Sequence, residues 1–404
     1  MTRTNRIQFS ALMFLEFFVW GSWYTTIGIY MTRHGMADLT HWPYTVNPIA
    51  AIVAPFFVGL IADRYFATEK VLGVLHLLGA LCMFLAPSAV HHPLLFILLL
   101  LAYNICYMPT MGLANTICFY KMPDQEKQFP AIRVFGTIGW IAAGLVISFI
   151  LSRIAGEKAE ATALPLYMTA GGGLLLGLYS FWLPHTPPPA ADKKVSFYSI
   201  IGVDALRQLG SPSFYIFLAS SFLICIPLAA YYNFTQIFLD NAHFTNIAAT
   251  QTLGQASETL FMVLMPFFFA RLGVKWMLAT GMLAWVLRYA LFAMGAPGIV
   301  DWMILTGIAL HGVCYDFFFV TGQIYVDTKA GPHIRAQAQG LIVFATYGTG
   351  MLAGAQIAGS VYNRFLRNAP ALGLTQWAHF WWIPAWFAAV VLICFVLLFH
   401  TKKT

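Results

Sequence analysis

The chain reads as an all-α membrane protein, with twelve transmembrane helices in two six-helix, pseudo-symmetric bundles. Three observations lead there: an apolar excess, twelve apolar windows of helix length, and a motif that recurs half a chain apart. Hydrophobic residues make up 60% of the 404 positions and charged residues only 9%, against roughly a quarter charged in a soluble domain. A water-soluble protein of this length cannot bury so much apolar surface. Lipid accepts it, and about twenty apolar residues span the hydrocarbon as one helix.

Windows of that length fall at about 8–31, 42–62, 70–88, 93–119, 132–153, 164–184, 213–239, 248–270, 274–295, 299–325, 336–362 and 375–399. A helix satisfies its own backbone hydrogen bonds, as lipid requires. Outer-membrane strands would alternate polar and apolar residues, and these runs do not. The first window follows Arg3 and Arg6, as a secretory signal would. It is too long for a signal and lacks a small-residue cleavage site, so a retained first helix is expected.

With the N-terminus placed in the cytoplasm, 16 of the 22 Lys and Arg residues fall on inside segments. Five fall on outside loops and one, Arg288, lies within a span. That asymmetry predicts both termini in the cytoplasm. It also accounts for the net charge of +7 without invoking nucleic acid. The six cysteines all fall in spans and form no Cys-x-x-Cys pair. They read as small packing residues rather than a zinc site or disulfide framework.

Pro-x-Ile-Arg occurs twice, at Pro130–Arg133 and Pro332–Arg335. NICYMPT (104–110) and GVCYDFF (312–318) each precede it by about twenty residues, and PFF closes a span at 55–57 and again at 266–268. Between the halves lies the longest polar stretch, which carries three prolines at 187–189. The expected organisation is an N-terminal bundle at 1–184, a cytoplasmic linker at 185–212 with an interfacial helix near 196–208, and a C-terminal bundle at 213–404. Tandem halves are what a rocking transporter needs, with its substrate near mid-membrane. Arg133 and Arg335 hold equivalent places in them, and the simplest reading of each is a side chain snorkelling to the interface.

Glu16, Glu258 and Asp316 lie well inside apolar segments. Each would cost roughly 2.5–3.5 kcal/mol at the bilayer centre if it faced lipid while charged. They are therefore expected to meet a wet cavity, a proton, or a buried cation such as Arg288. Their neighbours favour a cavity. Glu16, Trp20 and Trp23 recur at i, i+4, i+7 and share a helix face, and Gln251, Gln255 and Glu258 repeat that spacing. His311 and Tyr315 share a face, with Asp316 one residue on. Tyr231, Tyr232, Asn233 and Gln236 crowd the seventh window near Pro227, and Tyr103, Asn104 and Tyr107 the fourth.

Amides, carboxylates and flat aromatics suit a flat ligand rich in donors and acceptors. Stacking a base on an aromatic ring is worth about 1–3 kcal/mol. Trp with Gln suits a sugar equally, so composition leaves both open. A carboxyl in low-dielectric surroundings favours its protonated form, so it can load and release a proton. Protons are the expected coupling ion, with no cofactor and no metal.

Six stretches carry a family resemblance: FVWGSWYTTIG (18–28), YMPTMGLANTI (107–117), FPAIRVFGTIGWI (129–141), GQASETLFM (254–262), CYDFFFVTG (314–322) and IRAQAQG (334–340). Through them the chain resembles the nucleoside:proton symporters of the major facilitator superfamily along nearly its whole length. GLIADRYFATEK resembles the superfamily's gating loop at Gly59, Asp63 and Arg64, although Phe66 and Ala67 stand where that loop prefers Gly and a basic residue.

The resemblance implies import of nucleosides by proton symport through a central, alternating-access cavity. It implies substrate contacts from Arg133, Thr137 and Trp140 on helix five, Gln255 and Glu258 on helix eight, and Tyr315 with Asp316 on helix ten. Departures occur at helix seven, where Ala229 and Tyr232 replace a Gln and an Asn. His311 replaces a tyrosine and Glu16 a glutamine. Tyr232 and His311 join the expected substrate site, and Asp316, Glu258 and Glu16 form the expected proton-coupling set. The alternative within transport is a sugar or other small polar solute. An enzyme finds no support, since there is no His-Glu-x-x-His or Gly-x-Ser-x-Gly motif and GGGLLLG (171–177) lacks the ending of a phosphate loop. The expected partners are a small-molecule substrate and membrane lipids, around a monomer.

Overall fold

A computed structural model of the chain describes residues 1–62, 66–156, 158–188, 203–331, 334–366 and 374–400. Twelve long helices run through these residues, and no strand occurs among them. They are α1 (Arg3–Tyr24), α2 (Pro43–Ala62), α3 (Thr68–Ala89), α4 (Pro93–Tyr120), α5 (Lys127–Ala155) and α6 (Leu164–Ser180). The second set is α7 (Pro212–Asn241), α8 (247–272), α9 (274–295), α10 (Asp301–Lys329), α11 (Gln337–Phe365) and α12 (Thr375–Leu398). Eight helical stretches are long and apolar enough to cross a membrane by length and composition, and one of them, Ile247–Gly295, supplies both α8 and α9. The chain turns between those two at Gly273, whose φ of 62° with ψ of 178° only glycine adopts without strain.

Local chemistry moves some ends away from the apolar windows. The first window runs to about 31, but α1 stops at Tyr24 and a seven-residue helix, Ile27–Arg33, follows. Thr26 causes the stop by turning its hydroxyl onto the Trp23 carbonyl at 3.1 Å, the local competition that ends helices at Ser and Thr. The fifth helix begins before its apolar run because the Asp124 carboxylate accepts from Lys127 N at 3.1 Å, a helix N-cap. Of the expected interfacial helix, Val203–Gln208 is helical. Residues 196–202 lie outside the described residues, as do Asp63, Arg64 and Pro332.

The chain divides into two compact units, Met1–Val195 with Thr245–Thr252, and Ser196–Phe244 with Leu253–Thr404. In the first, α1 packs on α5 and α6, and α3 packs on α4 and α6. In the second, α7 packs on α11 and α12. The first helix of each set thus rests on the fifth. Small residues permit that approach: a Cβ on Gly139 would overlap the Phe14 carbonyl, and one on Gly354 would lie 2.7 Å from the Ala229 Cβ. The Gly350–Gly354 pair is therefore a helix contact, as its spacing predicts. Both α5 and α11 also widen into a π-helix, at Val146–Leu151 and Phe344–Gly350.

The opening of α8 belongs to the first unit for an electrostatic reason. The first amides of a helix have no partner within it and carry partial positive charge. The fully buried Glu160 carboxylate accepts from Ala248 N at 3.1 Å and from the Ser148 hydroxyl at 2.8 Å. The Ser148 oxygen in turn accepts from Ala249 N at 3.0 Å. Gln251 adds a bond from Nε2 to the Thr25 carbonyl at 3.1 Å. Replacing Glu160 with Ala leaves buried donors unmet, at about 1–3 kcal/mol. The Glu160→Ala protein should therefore melt at a lower temperature in detergent than the unaltered chain; equal melting curves would show that α8 starts are held by something else.

Candidate functional site

In the first unit, α1 and α5 build an aromatic wall. The Arg133 guanidinium lies 4.1 Å from the centroid of the Phe17 ring, a cation–π contact worth about 0.5–2 kcal/mol. Thr137 follows one turn along, half-buried. Trp140, also half-buried, meets Trp20 edge-on at 5.3 Å and Tyr24 at 6.0 Å. Arg335, the repeat-equivalent of Arg133, sits at the surface with its Nε 2.9 Å from Asp327 Oδ1. Such an exposed pair contributes about 0–1 kcal/mol.

Behind that wall Glu16 is fully buried and fully engaged. Its Oε2 lies 3.0 Å from His76 Nε2 on α3, and its Oε1 accepts from the Thr110 hydroxyl of α4 at 2.5 Å. Its own carbonyl accepts from the Tyr107 hydroxyl at 2.6 Å. Of the fates open to a buried acid, Glu16 takes pairing, and its partner is His76. Asn104 is occupied in the same manner, accepting from Asn47 Nδ2 at 2.7 Å. Trp23 is buried against Tyr103. These members of the fourth window and the Glu16 face share the buried core of the first unit.

The second unit gathers the remaining candidates. Glu258 on α8 is half-buried, and its Oε2 lies 4.0 Å from Nε2 of the buried His311 on α10. The His311 ring stacks on Tyr231 at 5.4 Å and 18°. It meets Tyr232 edge-on at 6.0 Å and Tyr315 at 5.8 Å. Arg288 on α9 places its guanidinium 4.0 Å from the Tyr231 centroid and donates from Nε to the Gly307 carbonyl at 3.0 Å. Ala229 does not join this group: it is fully buried against Gly354, where no amide side chain fits.

Buried polar atoms without a hydrogen-bond partner among the described residues occur in both units, at Trp23 Nε1 and Glu160 Oε2 in the first and at several candidate site residues in the second. Asp316 is fully buried, and neither carboxylate oxygen has a hydrogen-bond partner among the described residues. The same holds for Gln255 Oε1, His311 Nδ1, both side-chain polar atoms of Asn233, and Arg288 Nη1 and Nη2. Native proteins leave few such groups, and each calls for a physical explanation. A region that must exchange partners with a ligand and a proton supplies one. The described residues hold no cluster of His, Cys, Asp and Glu suited to a metal ion, and Gly59 of the expected gating loop lies in α2.

The sequence profile of the family described as Nucleoside H+ symporter matches residues 3–404. The chain belongs to that family. It is 40% identical to YegT of Escherichia coli (strain K12), over 99% of this chain and 94% of that one. It is 32% identical to Nucleoside permease NupG of the same organism, over 98% and 96%. The crystal structure of nucleoside transporter NupG matches with a TM-score of 0.86 at 31% identity, covering 98% of this chain and all of that one. The fold is accordingly the twelve-helix major facilitator architecture.

Sequence reasoning about this symporter missed His76, Thr110 and Ser257. His76 carried a signal, a lone imidazole in the apolar run VLGVLHLLGAL, but nothing in the order of residues pairs it with Glu16 sixty positions away. Breaking a buried pair by removing one partner costs about 3–5 kcal/mol. His76→Leu should therefore lower the melting temperature of the purified protein, and adding Glu16→Gln should restore part of the loss. A His76→Leu protein as stable as the unaltered chain would remove the pair from the stability of the first unit.

Proposed function

We propose that this chain is a secondary active transporter that imports nucleosides by proton symport, exposing its substrate site alternately to the two sides of a bacterial inner membrane. Asp316 carries the reading. A buried carboxyl with no hydrogen-bond partner among the described residues, inside a membrane span, is costly while charged, and a proton is the simplest group that relieves it. Membership in the nucleoside H+ symporter family supports both the substrate class and the coupling ion. The distribution of Lys and Arg supports cytoplasmic termini. No cofactor takes part, and the monomer is the working unit.

Each unit brings its own substrate contacts. The first offers the half-buried rings of Trp20 and Trp140 for stacking on a base, with Arg133 and Thr137 as polar neighbours. The second offers the Gln255 amide and the Glu258 carboxylate, suited to ribose hydroxyls and base edges. Tyr232, Tyr315 and His311 surround them. Asp316 and Glu258 carry the proton coupling. Glu16, expected in the same set, has its oxygens engaged by His76 and Thr110 and serves the core of the first unit in this reading. Gly59, Asp63 and Arg64 keep the gating role that the resemblance gives them.

Proteoliposomes holding the purified chain, with a pH gradient acid outside, test the proposal. Labelled uridine or adenosine should accumulate, and unlabelled nucleosides but not excess sugar should compete. Competition by sugar alone would overturn the substrate assignment. In the same vesicles Asp316→Asn should abolish accumulation while retaining exchange of label across the membrane. Full uphill uptake by that variant would remove Asp316 from the coupling role.

A further inference from the structure

α10 is not one continuous α-helix. The α-helical pattern holds over Asp301–Ala309, lapses at Leu310, resumes over His311–Tyr315 and widens into a π-helix over Asp316–Val320. No proline occurs between 301 and 329, and Leu310 has an ordinary φ of −63°. A break without proline is caused by a side chain inserted into the ladder or by a π turn. Both are present here, and they frame the residues that matter most: His311 and Tyr315 lie between the lapse and the π turn, and Asp316 opens the π turn.

Side chains of the neighbouring helices hold the break. The last carbonyls of a helix segment have no partner within it. Arg288 of α9 takes the Gly307 carbonyl, and the Ser257 hydroxyl of α8 donates to the Ala309 carbonyl. The same Ser257 oxygen accepts from Gly312 N at 3.3 Å, on the far side of the lapse. One hydroxyl therefore stitches the end of one segment to the start of the next. The approach is backbone to backbone: a Cβ on Gly312 would lie 2.5 Å from the Ser257 carbonyl carbon and 2.6 Å from Glu258 N.

Ser257 also has telling neighbours in sequence. Gln255 and Glu258, the α8 residues assigned to substrate, flank it. Gly312 follows His311 and precedes Asp316 by one helical turn. We propose that Ser257 is a positioning residue that locks α8 to the break in α10, so that a change at Gln255 and Glu258 is passed to Asp316. The proposal rests on the symport reading given above and adds the physical link between its two halves. Movement of α8 on substrate binding shifts the Ser257 oxygen. The bonds at Ala309 and Gly312 then carry that shift into the short segment that ends at Asp316.

The test compares the full chain with Ser257→Ala and Ser257→Cys in proteoliposomes, using labelled uridine and adenosine. Two rates are read: exchange without a pH gradient, and accumulation driven by gradients over a series of external pH values. With Ser257→Ala, accumulation should fall roughly tenfold, the scale of one lost positioned hydrogen bond. Exchange should be largely kept, the pH profile of uptake should flatten, and Ser257→Cys, a weaker donor, should fall between. Parallel loss of exchange and accumulation with an unchanged pH profile would reduce Ser257 to a packing role. No loss at all would overturn the proposal outright.

Should the unaltered chain accumulate no nucleoside, the symport reading fails by itself, and a second measurement still judges the link. Amide hydrogen exchange over 309–316 should then be faster in Ser257→Ala than in the unaltered protein. Equal exchange there would overturn the stitch.

Discussion

Lipid supplies no hydrogen bonds, so every polar group that leaves a helix ladder within the bilayer must find its partner inside the protein. Most of the structure follows from how the two units meet that demand. In the first, Glu16 has His76 and Thr110, Asn104 has Asn47, and Glu160 has Ser148 and the first amides of α8. In the second, Asp316, Asn233 and the Arg288 guanidinium are buried with polar atoms left over. A satisfied network is rigid and specifies one arrangement, whereas an unsatisfied one is expensive unless something else completes it.

The two halves also share backbone features while their polar side chains differ. The halves share the contact of first helix on fifth, small residues at that contact, and a π segment in the fifth helix. They share the Pro-x-Ile-Arg entry as well. Yet Arg133 lies over the Phe17 ring while Arg335 pairs with Asp327 at the surface. The repeat preserved backbone geometry, which packing enforces. It left the polar side chains to diverge, because their worth depends on what each one faces.

Packing accounts for particular residues of the second unit at the same level. Ala229 is small because Gly354 of α11 approaches it directly. The His311 ring is stacked on Tyr231, with Tyr232 and Tyr315 around it and Glu258 beside it. The charge that backs this cluster, Arg288, touches no acid among the described residues and instead rests on the Tyr231 face.

The order of amino acids was enough to set the number of helices and the placing of Glu16, Glu258 and Asp316 inside them. Those properties depend on local hydrophobicity and on a period of 3.6 residues, and both are written along the chain. Helix ends departed from the apolar windows: the Asp124 cap starts the fifth helix before its apolar run, and Thr26 gave α1 an earlier end than its own. Tertiary structure alone decided which acid is paired and which is bare. His76 and Glu16 meet across sixty positions, and Ser257 meets the break in α10 across more than fifty. Hydrogen bonds of this kind reach only about 3 Å, so their existence depends on how helices pack, and no pattern within a single helix encodes that.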